Sequence, residues 1–525
     1  PVVVGRLKLS LFDFGFLTHG GQRMLRARCA ARSWWAPYRG HRWVRRFAAS
    51  RSLPAAFEVL GLKYLEADEL RARFDRYDVN GDGSICQVEA LQILNDAGLQ
   101  DATREEALQL VQHLHGHEEE AVTWEEFEGA VGKAAEVIDK RVYPISGALF
   151  LSFFGQGTMA PILPLLGRSL GLAASELGFV TAASSLSRLV CNMPFAAAAE
   201  RFGRRPMLVG GSLVGSIGFG MLSVSNDLQG MMLWNGLAGA GGAATMAGAG
   251  LYLNDIATPR NRSRTTAPLM MMAMLGFSVG PAFGGYLAQT HGLQAPFVVC
   301  SMGMLSASVF AAMLPETRRK GQVVSKESPF QQWAKFIQRP PLQGITAVSM
   351  CNGIVQGASP VTVVLYASET LGMSPAELGL MFTAQVVTMA AATPLLSKMS
   401  DGLSNRLAVL LPSVLLGSFA LVGQSACTTM NEFVGLGVVG SLGSAGIMTN
   451  MSAFVMDHTK TEERAQALAM RSMSSDLGVL VGACSMGVVS TYMGIPFAMQ
   501  TAACVQGAAA VFCALRTGSQ KKGPK

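Results

Sequence analysis

Pro194-Phe-Ala-Ala-Ala-Ala-Glu200-Arg201-Phe202-Gly203-Arg204-Arg205-Pro206 is the stretch whose reading decides the fold. Long apolar runs lie on either side of it, and the connection itself holds little but charge and turn. Lipid cannot satisfy exposed backbone groups, so consecutive spanning helices meet in a short polar turn at headgroup level. Arg201, Arg204 and Arg205 mark the side of the membrane on which that turn sits. A weaker echo follows about 200 residues later, as Pro394, Lys398, Asp401, Gly402 and Arg406. One short basic turn repeated at that distance predicts a duplicated membrane bundle.

Composition agrees with a chain living mostly in lipid. Of 525 residues, 50% are hydrophobic and only 15% charged, with a mean hydropathy of +0.32. The 58 glycines and 29 methionines suit close helix approach and adaptable apolar surfaces. A net charge of +7 is no nucleic-acid footprint, because the basic residues fall in the N-terminal segment or between apolar runs. The nine cysteines are scattered without C-x-x-C spacing, which favours buried thiols over zinc or a disulfide framework. No nucleophile–base arrangement, phosphate loop or catalytic metal spacing is present, so no enzyme is expected.

Ahead of the apolar runs stand two different segments. In residues 1–57, Arg6, Arg23, Arg26, Arg28, Arg32, Arg39, Arg42, Arg45, Arg46 and Arg51 face a single acid, Asp13. That pattern reads either as an organellar transit segment or as a basic tail lying on anionic lipid. Residues 58–140 turn to soluble helical character. There Asp78-Val-Asn80-Gly-Asp82-Gly83-Ser84-Ile85-Cys86-Gln-Val-Glu89 resembles the calcium loop of the EF-hand. Asp78, Asn80 and Asp82 offer side-chain oxygens, Ser84 its carbonyl, and Glu89 a closing carboxylate. Calcium is therefore the expected cofactor. Val122-Thr-Trp-Glu-Glu126-Phe127 resembles the end of a second loop beginning at His115. His115, His117, Glu119 and Glu120 do not fit its ligand and turn positions. A pairing of Val122 against Ile85 without metal is expected for this second unit.

Windows of about 20 residues place twelve spans. Six lie in 142–314 and six in 345–515, with a polar linker at 315–344 and a basic tail at 516–525. Arg and Lys crowd the even-to-odd connections, so both termini are expected on the inner side. The span count gains support from the repeat: Leu170–Gly178 reappears as Leu371–Gly379, Asp255 and Arg262 as Asp457 and Arg464, and Gly276 and Gly280 as Gly478 and Gly482. Two parallel six-span halves imply a site near the midplane and rocking alternating access.

Over residues 142–515 the chain resembles the major facilitator superfamily, an all-α membrane fold of twelve helices in two pseudo-symmetric halves. Glu200-Arg201-Phe202-Gly203-Arg204-Arg205 looks like the loop motif between its second and third spans, with Glu where Asp is usual. In the family this loop latches the inner face. Gly276-Phe-Ser-Val-Gly280-Pro281-Ala-Phe-Gly284-Gly285 is similar to the antiporter motif of drug:proton exporters. Pro315-Glu316-Thr317-Arg318 matches the usual end of the sixth span. Asn235 stands where the family's fourth-span motif has an Arg linked to proton handling, a departure from the antiporter pattern. The resemblance implies a secondary active transporter exporting against protons; the calcium-type loop, which is no part of that family's pattern, adds the expectation that calcium adjusts it.

Ionisable residues inside a membrane are costly and usually functional. Arg188 falls in the second span and Asp476 in the eleventh, and they are expected to pair in one state and part in another, with Asp476 the proton carrier. Gln156, Asn192, Asn235, Asn352, Gln356 and Gln385 are candidate cavity residues, which with the Met and Phe content point to an amphipathic organic solute. An organic-anion carrier using Arg188 is the alternative, and a calcium sensor on a transporter scaffold is the reading of another class. The expected partners are the bilayer, a small-molecule substrate and protons or another coupling ion, with no nucleic acid and a monomer as the working unit.

Overall fold

A computed structural model describes residues 62–96 (save 66), 107, 111, 121–317 (save 259), 338–459 (save 404) and 463–518. The basic segment 1–57, the loop positions His115, His117, Glu119 and Glu120, most of the linker and the end of the basic tail lie outside the described residues. The chain divides into two compact units, one reaching to Val137 and including Thr258–Arg260, the other comprising Ile138–Ala257 and the residues from Asn261 onward.

In the first unit, α1 (Ala67–Tyr77) buries Leu70, Phe74 and Tyr77, which the helical period places on one face. A loop with left-handed Gly81 and Gly83 (φ 72° and 81°) leads to β1 (Ser84–Cys86) and α2 (Gln87–Asp96). β2 (Ala121–Thr123) pairs antiparallel with β1, with Ile85 opposite Val122. α3 (Trp124–Glu136) follows, its start held by a capping box in which Glu126 accepts the Thr123 N–H at 2.9 Å. Phe74 meets Trp124 and Phe127 with ring centroids 5.3 and 5.4 Å apart. These rings fill the core between the helices.

The expected calcium site at Asp78, Asn80, Asp82, Ser84 and Glu89 is overturned. Among the described residues no group of three or more His, Cys, Asp or Glu side chains is placed to hold a metal ion. The carboxylates are committed to the loop's own donors. Asp78 accepts the amides of Gly81 and Gly83 at 2.8 and 2.9 Å. Asp82 accepts the Ser84 amide and hydroxyl, both at 2.8 Å, and the Asn80 amide group at 2.7 Å. Glu89 accepts the amides of Val79, Asn80 and Cys86. Burial opposes the charge on Glu89, but those amides outweigh it and hold its carboxyl below the ordinary value. Calcium needs six to eight converging oxygens, and this loop is closed on itself instead.

The second unit is a bundle of long helices. A first set comprises α4 (Val142–Ser169), α5 (Ala174–Phe202), α6 (Arg204–Leu222), α7 (Leu228–Ile256), α8 (Arg262–His291) and α9 (Ala295–Met313). A second set comprises α10 (Pro340–Leu365), α11 (Pro375–Asp401), α12 (Leu407–Gln424), α13 (Met430–Asp457), α14 (Arg464–Met493) and α15 (Ile495–Gly518). Nine of these helices are long and apolar enough to cross a membrane. The twelve expected spans are thus met by nine on length and composition. The other three are α5, α6 and α7, of 29, 19 and 29 residues. Arg188 interrupts α5, an arginine pair opens α6, and α7 is dominated by Gly and Ala, so none of the three carries a spanning stretch as apolar as those of the other nine.

Packing partners recur six helices on. α8 lies against α4 as α14 lies against α10, and α6 against α7 as α12 against α13. α7 meets α5 as α13 meets α11, while α9 meets α4 and α6 as α15 meets α10 and α12. Two extensive seams join the sets, α5 with α14 and α8 with α11.

Candidate functional site

Glycines on facing helices let both seams close at the end opposite the basic turns. A Cβ on Gly178 of α5 would overlap the Ala483 carbonyl oxygen of α14, and one on Gly487 would sit 2.9 Å from the Ala174 oxygen. In the other seam a Cβ on Gly379 of α11 would overlap the Pro281 oxygen, and one on Gly285 would overlap the Pro375 oxygen. At the same end Arg168 Nε bonds Glu369 Oε1 at 2.6 Å across the two sets.

Further along α5, the seam with α14 becomes polar. Asn192 Nδ2 donates to Asp476 Oδ2 at 3.2 Å. Arg188 is an electrostatic neighbour of Asp476, yet no direct ion pair joins them among the described residues. An amide-to-carboxylate bond thus joins the two helices here, with the guanidinium standing by. Among the described residues the buried Nε of Arg188 has no hydrogen-bond acceptor, and neither has the hydroxyl of Ser185, one turn away on the same helix. At 1.5 Å rise per residue, Arg188, Asn192 and Asp476 lie about 15–21 Å along their helices from the basic-turn end.

The seam of α8 with α11 carries no such charge. Its equivalent of Asp476 is Met274, and of Arg188, Met389. Where Pro281 leaves α8 without an N–H, Thr383 Oγ1 of α11 accepts the Ala282 N–H at 3.1 Å and donates to the Ser278 carbonyl at 2.8 Å. The hydroxyl thus bridges two groups that pair with each other in a regular helical turn. Gly276, Gly280 and Gly284 face α4 instead, where added Cβ atoms would strike Phe150, Phe154 and Thr158. The motif's glycines are used for close packing.

At the basic turns, Arg204 Nε pairs with Asp255 Oδ2 at 2.8 Å, with side chains 2% and 6% exposed. Glu316 accepts the backbone amides of Arg204 and Arg205 at 3.0 and 3.1 Å. It thereby caps α6, whose first amides have no partner within the helix. Gly203 joins α5 to α6 at φ 118°, and a Cβ there would come 2.5 Å from Glu316 Oε2. Thr317 Oγ1 completes the cluster on Asp255 at 2.9 Å. In the second set Arg406 bonds Asp457, and Asp401 at 2.9 Å. Those carboxylates, Asp457 first, hold its guanidinium above the ordinary arginine value. The aspartates thus pair with arginines of the preceding turn rather than with Arg262 and Arg464. Arg262 bonds Asn254 at 2.9 Å, while Arg464 is exposed, as is Arg201, which lies over the Phe202 ring. Glu200 is half-buried.

Other polar candidates scatter. Asn235 is buried and donates to the Val180 oxygen at 2.7 Å. Asn352 accepts from Gln506 at 3.2 Å, a bond between helices rather than an open cavity contact. Gln156 and Gln385 are half-buried and Gln356 is exposed.

With this geometry the comparisons become informative. The family model for the Major Facilitator Superfamily matches residues 145–362 and 345–525. The chain belongs to the Major Facilitator Superfamily. It is accordingly a multi-pass membrane protein and a secondary active transporter of small solutes by alternating access, not an enzyme. It is 23% identical over 363 residues to an uncharacterized MFS-type transporter of Methanocaldococcus jannaschii, covering 68% of this chain and 93% of that one. To multidrug resistance protein 1 of Bacillus subtilis it is 26% identical over 171 residues, which are 33% of this chain and 44% of that protein. The crystal structure of a bacterial homolog to the human lysosomal transporter Spinster, inward-facing and occupied, shares the fold. Its TM-score is 0.65 at 14% identity, with 73% of this chain and 98% of that one covered.

Sequence reasoning missed Ser185 and Thr383. Ser185 stands three residues before Arg188, which is signal enough to place it on the same stripe. Thr383 had none, because its bonds lie on a helix about a hundred residues away.

Proposed function

We propose that this superfamily member is a twelve-span carrier of two six-helix halves, with both termini inside, moving a small amphipathic organic solute in step with a proton held on Asp476. The recurrence of packing partners six helices on supports the two halves, and the basic turns support the orientation. The coupling reading rests on one observation: an acid deep in the bundle, bonded to Asn192 across a seam that alternating access must work, with Arg188 beside it. Such a group is retained in lipid only for use, and its protonation weakens its attraction to Arg188. The glycines of α8 serve helix contacts that are the same for import and export, so the likeness to drug:proton exporters favours coupling more than direction. The sensor reading of the first unit falls with its metal site.

Reconstitution tests this directly. Proteoliposomes carrying an internal pH dye are challenged with a panel of amphipathic solutes. The wild-type chain is expected to show a solute-evoked pH change, and Asp476→Asn to lose it at least tenfold. An undiminished signal from Asp476→Asn removes Asp476 as the proton site.

A further inference from the structure

On that proton-coupled reading, we infer that the polar layer between α5 and α14 is a receptor for the oxyanion head of the solute, built from Arg188 Nε and Ser185 Oγ. Buried donors in folded proteins almost always have acceptors, and an unmade bond there incurs the full desolvation cost. Here two buried donors, one of them cationic, stand one turn apart on one helix with none among the described residues. Ser185 is only 1% exposed. The helical period puts Gly178, Ser185, Arg188 and Asn192 on one stripe. The two ends of that stripe are fixed on α14, Gly178 against Ala483 and Asn192 against Asp476. The two unpartnered donors therefore lie between those contacts, in the seam. A carboxylate or sulfonate accepts both, and charge-assisted bonds of this kind are the strong ones.

Charge balance links the anion to the proton. With Asp476 ionised, it and Arg188 cancel, and an arriving anion leaves an uncompensated negative charge at membrane depth. A proton taken from water onto Asp476 restores neutrality, so anion and proton bind together. The other charged or titratable side chains away from the ends of α5, α14, α10 and α15 are Cys191 on α5, Cys351 on α10, Cys504 on α15, and Arg471 and Cys484 on α14. Of these only Arg471 is a cation, and it stands about 10 Å along α14 from the basic-turn end, nearer that end than the layer itself, so the balance in the layer is struck between Arg188 and Asp476. The substrate class is then an amphipathic organic monoanion, its head on α5 and its tail free to meet the Met274 and Met389 side of the bundle.

The full chain in nanodiscs, titrated calorimetrically with octanesulfonate, octyltrimethylammonium and octanol, tests the assignment. These probes share a tail and differ in head group, and a sulfonate stays ionised throughout, so only the protein titrates. Octanesulfonate is expected to bind at least tenfold tighter than the other two, and to tighten about tenfold per unit fall in pH above the Asp476 pKa. Arg188→Gln should abolish the head-group preference and Ser185→Ala weaken it several-fold. Asp476→Asn should keep the preference and lose the pH slope, which also shows that a variant of this layer still folds. Equal binding of the cation or the alcohol overturns the oxyanion receptor, as does an Arg188→Gln chain that still prefers sulfonate. A sulfonate preference without any pH slope upholds the receptor and overturns the proton on Asp476, so the two readings fail separately.

Discussion

The two seams between the helix sets occupy equivalent places in the repeat, yet they are chemically opposite. One, α5 with α14, carries Arg188, Asn192 and Asp476; the other, α8 with α11, has Met389, Thr393 and Met274 at the matching positions. Both close through glycine at the same end. On the proposed reading of two repeated halves, backbone geometry is preserved, as packing dictates, while side chains at membrane depth diverged. A rocking bundle needs two seams of the same shape but only one that senses charge.

The largest expected contrast follows from that division. Asp476→Asn is predicted to abolish pH-driven flux at least tenfold, whereas its repeat equivalent Met274→Ala leaves the pH profile unchanged and shifts only apparent substrate affinity. Identical pH profiles for both variants in proteoliposomes would erase the distinction between the seams. Shape, by contrast, should be shared. Gly178→Leu and Gly379→Leu both force a side chain into a facing carbonyl and are each expected to cost about 1–3 kcal/mol. Thermal unfolding of the two variants in detergent should fall together; a drop in one alone means that the seams do not bear load equally.

Thr383→Val removes two bonds between helices and is expected to cost about 1–2 kcal/mol. Its repeat equivalent is Ala182, which has no hydroxyl; the neighbouring Thr181 bonds the Leu177 oxygen of its own helix at 3.1 Å, so Thr181→Val should be nearly silent. Labelling of a cysteine placed at Ala282 measures the difference, faster in the first variant and unchanged in the second. The smallest effect belongs to the second basic turn. Asp457 is half-exposed in its pair with Arg406, at 47%, so Asp457→Asn should change stability by no more than about 1 kcal/mol. Asp255→Asn breaks a buried pair and should cost about 3–5 kcal/mol. Here, too, the repeat kept the partners and changed the environment, and equal shifts for the two variants in a melting comparison would contradict that.

Much of the architecture could be read from residue order. The basic turns, the recurring Asp255 and Asp457, and the paired glycines are legible because each is a local signal repeated at a fixed distance. Arg188 and Asp476 stand out because charge is rare in apolar runs. What escaped was the choice of partner. The arginine that Asp255 takes is Arg204 of an earlier turn, because helix ends converge in space and not in sequence. The loop from Asp78 to Glu89 failed for a related reason: its residue types offer oxygens, but whether those oxygens converge on a common centre or turn to nearby amides is a matter of geometry.

The carboxylate of Glu316, seated over the first amides of α6, has a mechanical consequence. Through Gly203 it ties the tips of α5 and α6 to the segment that leaves α9, and through Thr317 and Asp255 it includes the tip of α7. Four rods fastened at one end cannot slide independently. Force delivered to any of them swings the leading lobe as a plate, and the compliance needed for transport must be found where that lobe meets its twin.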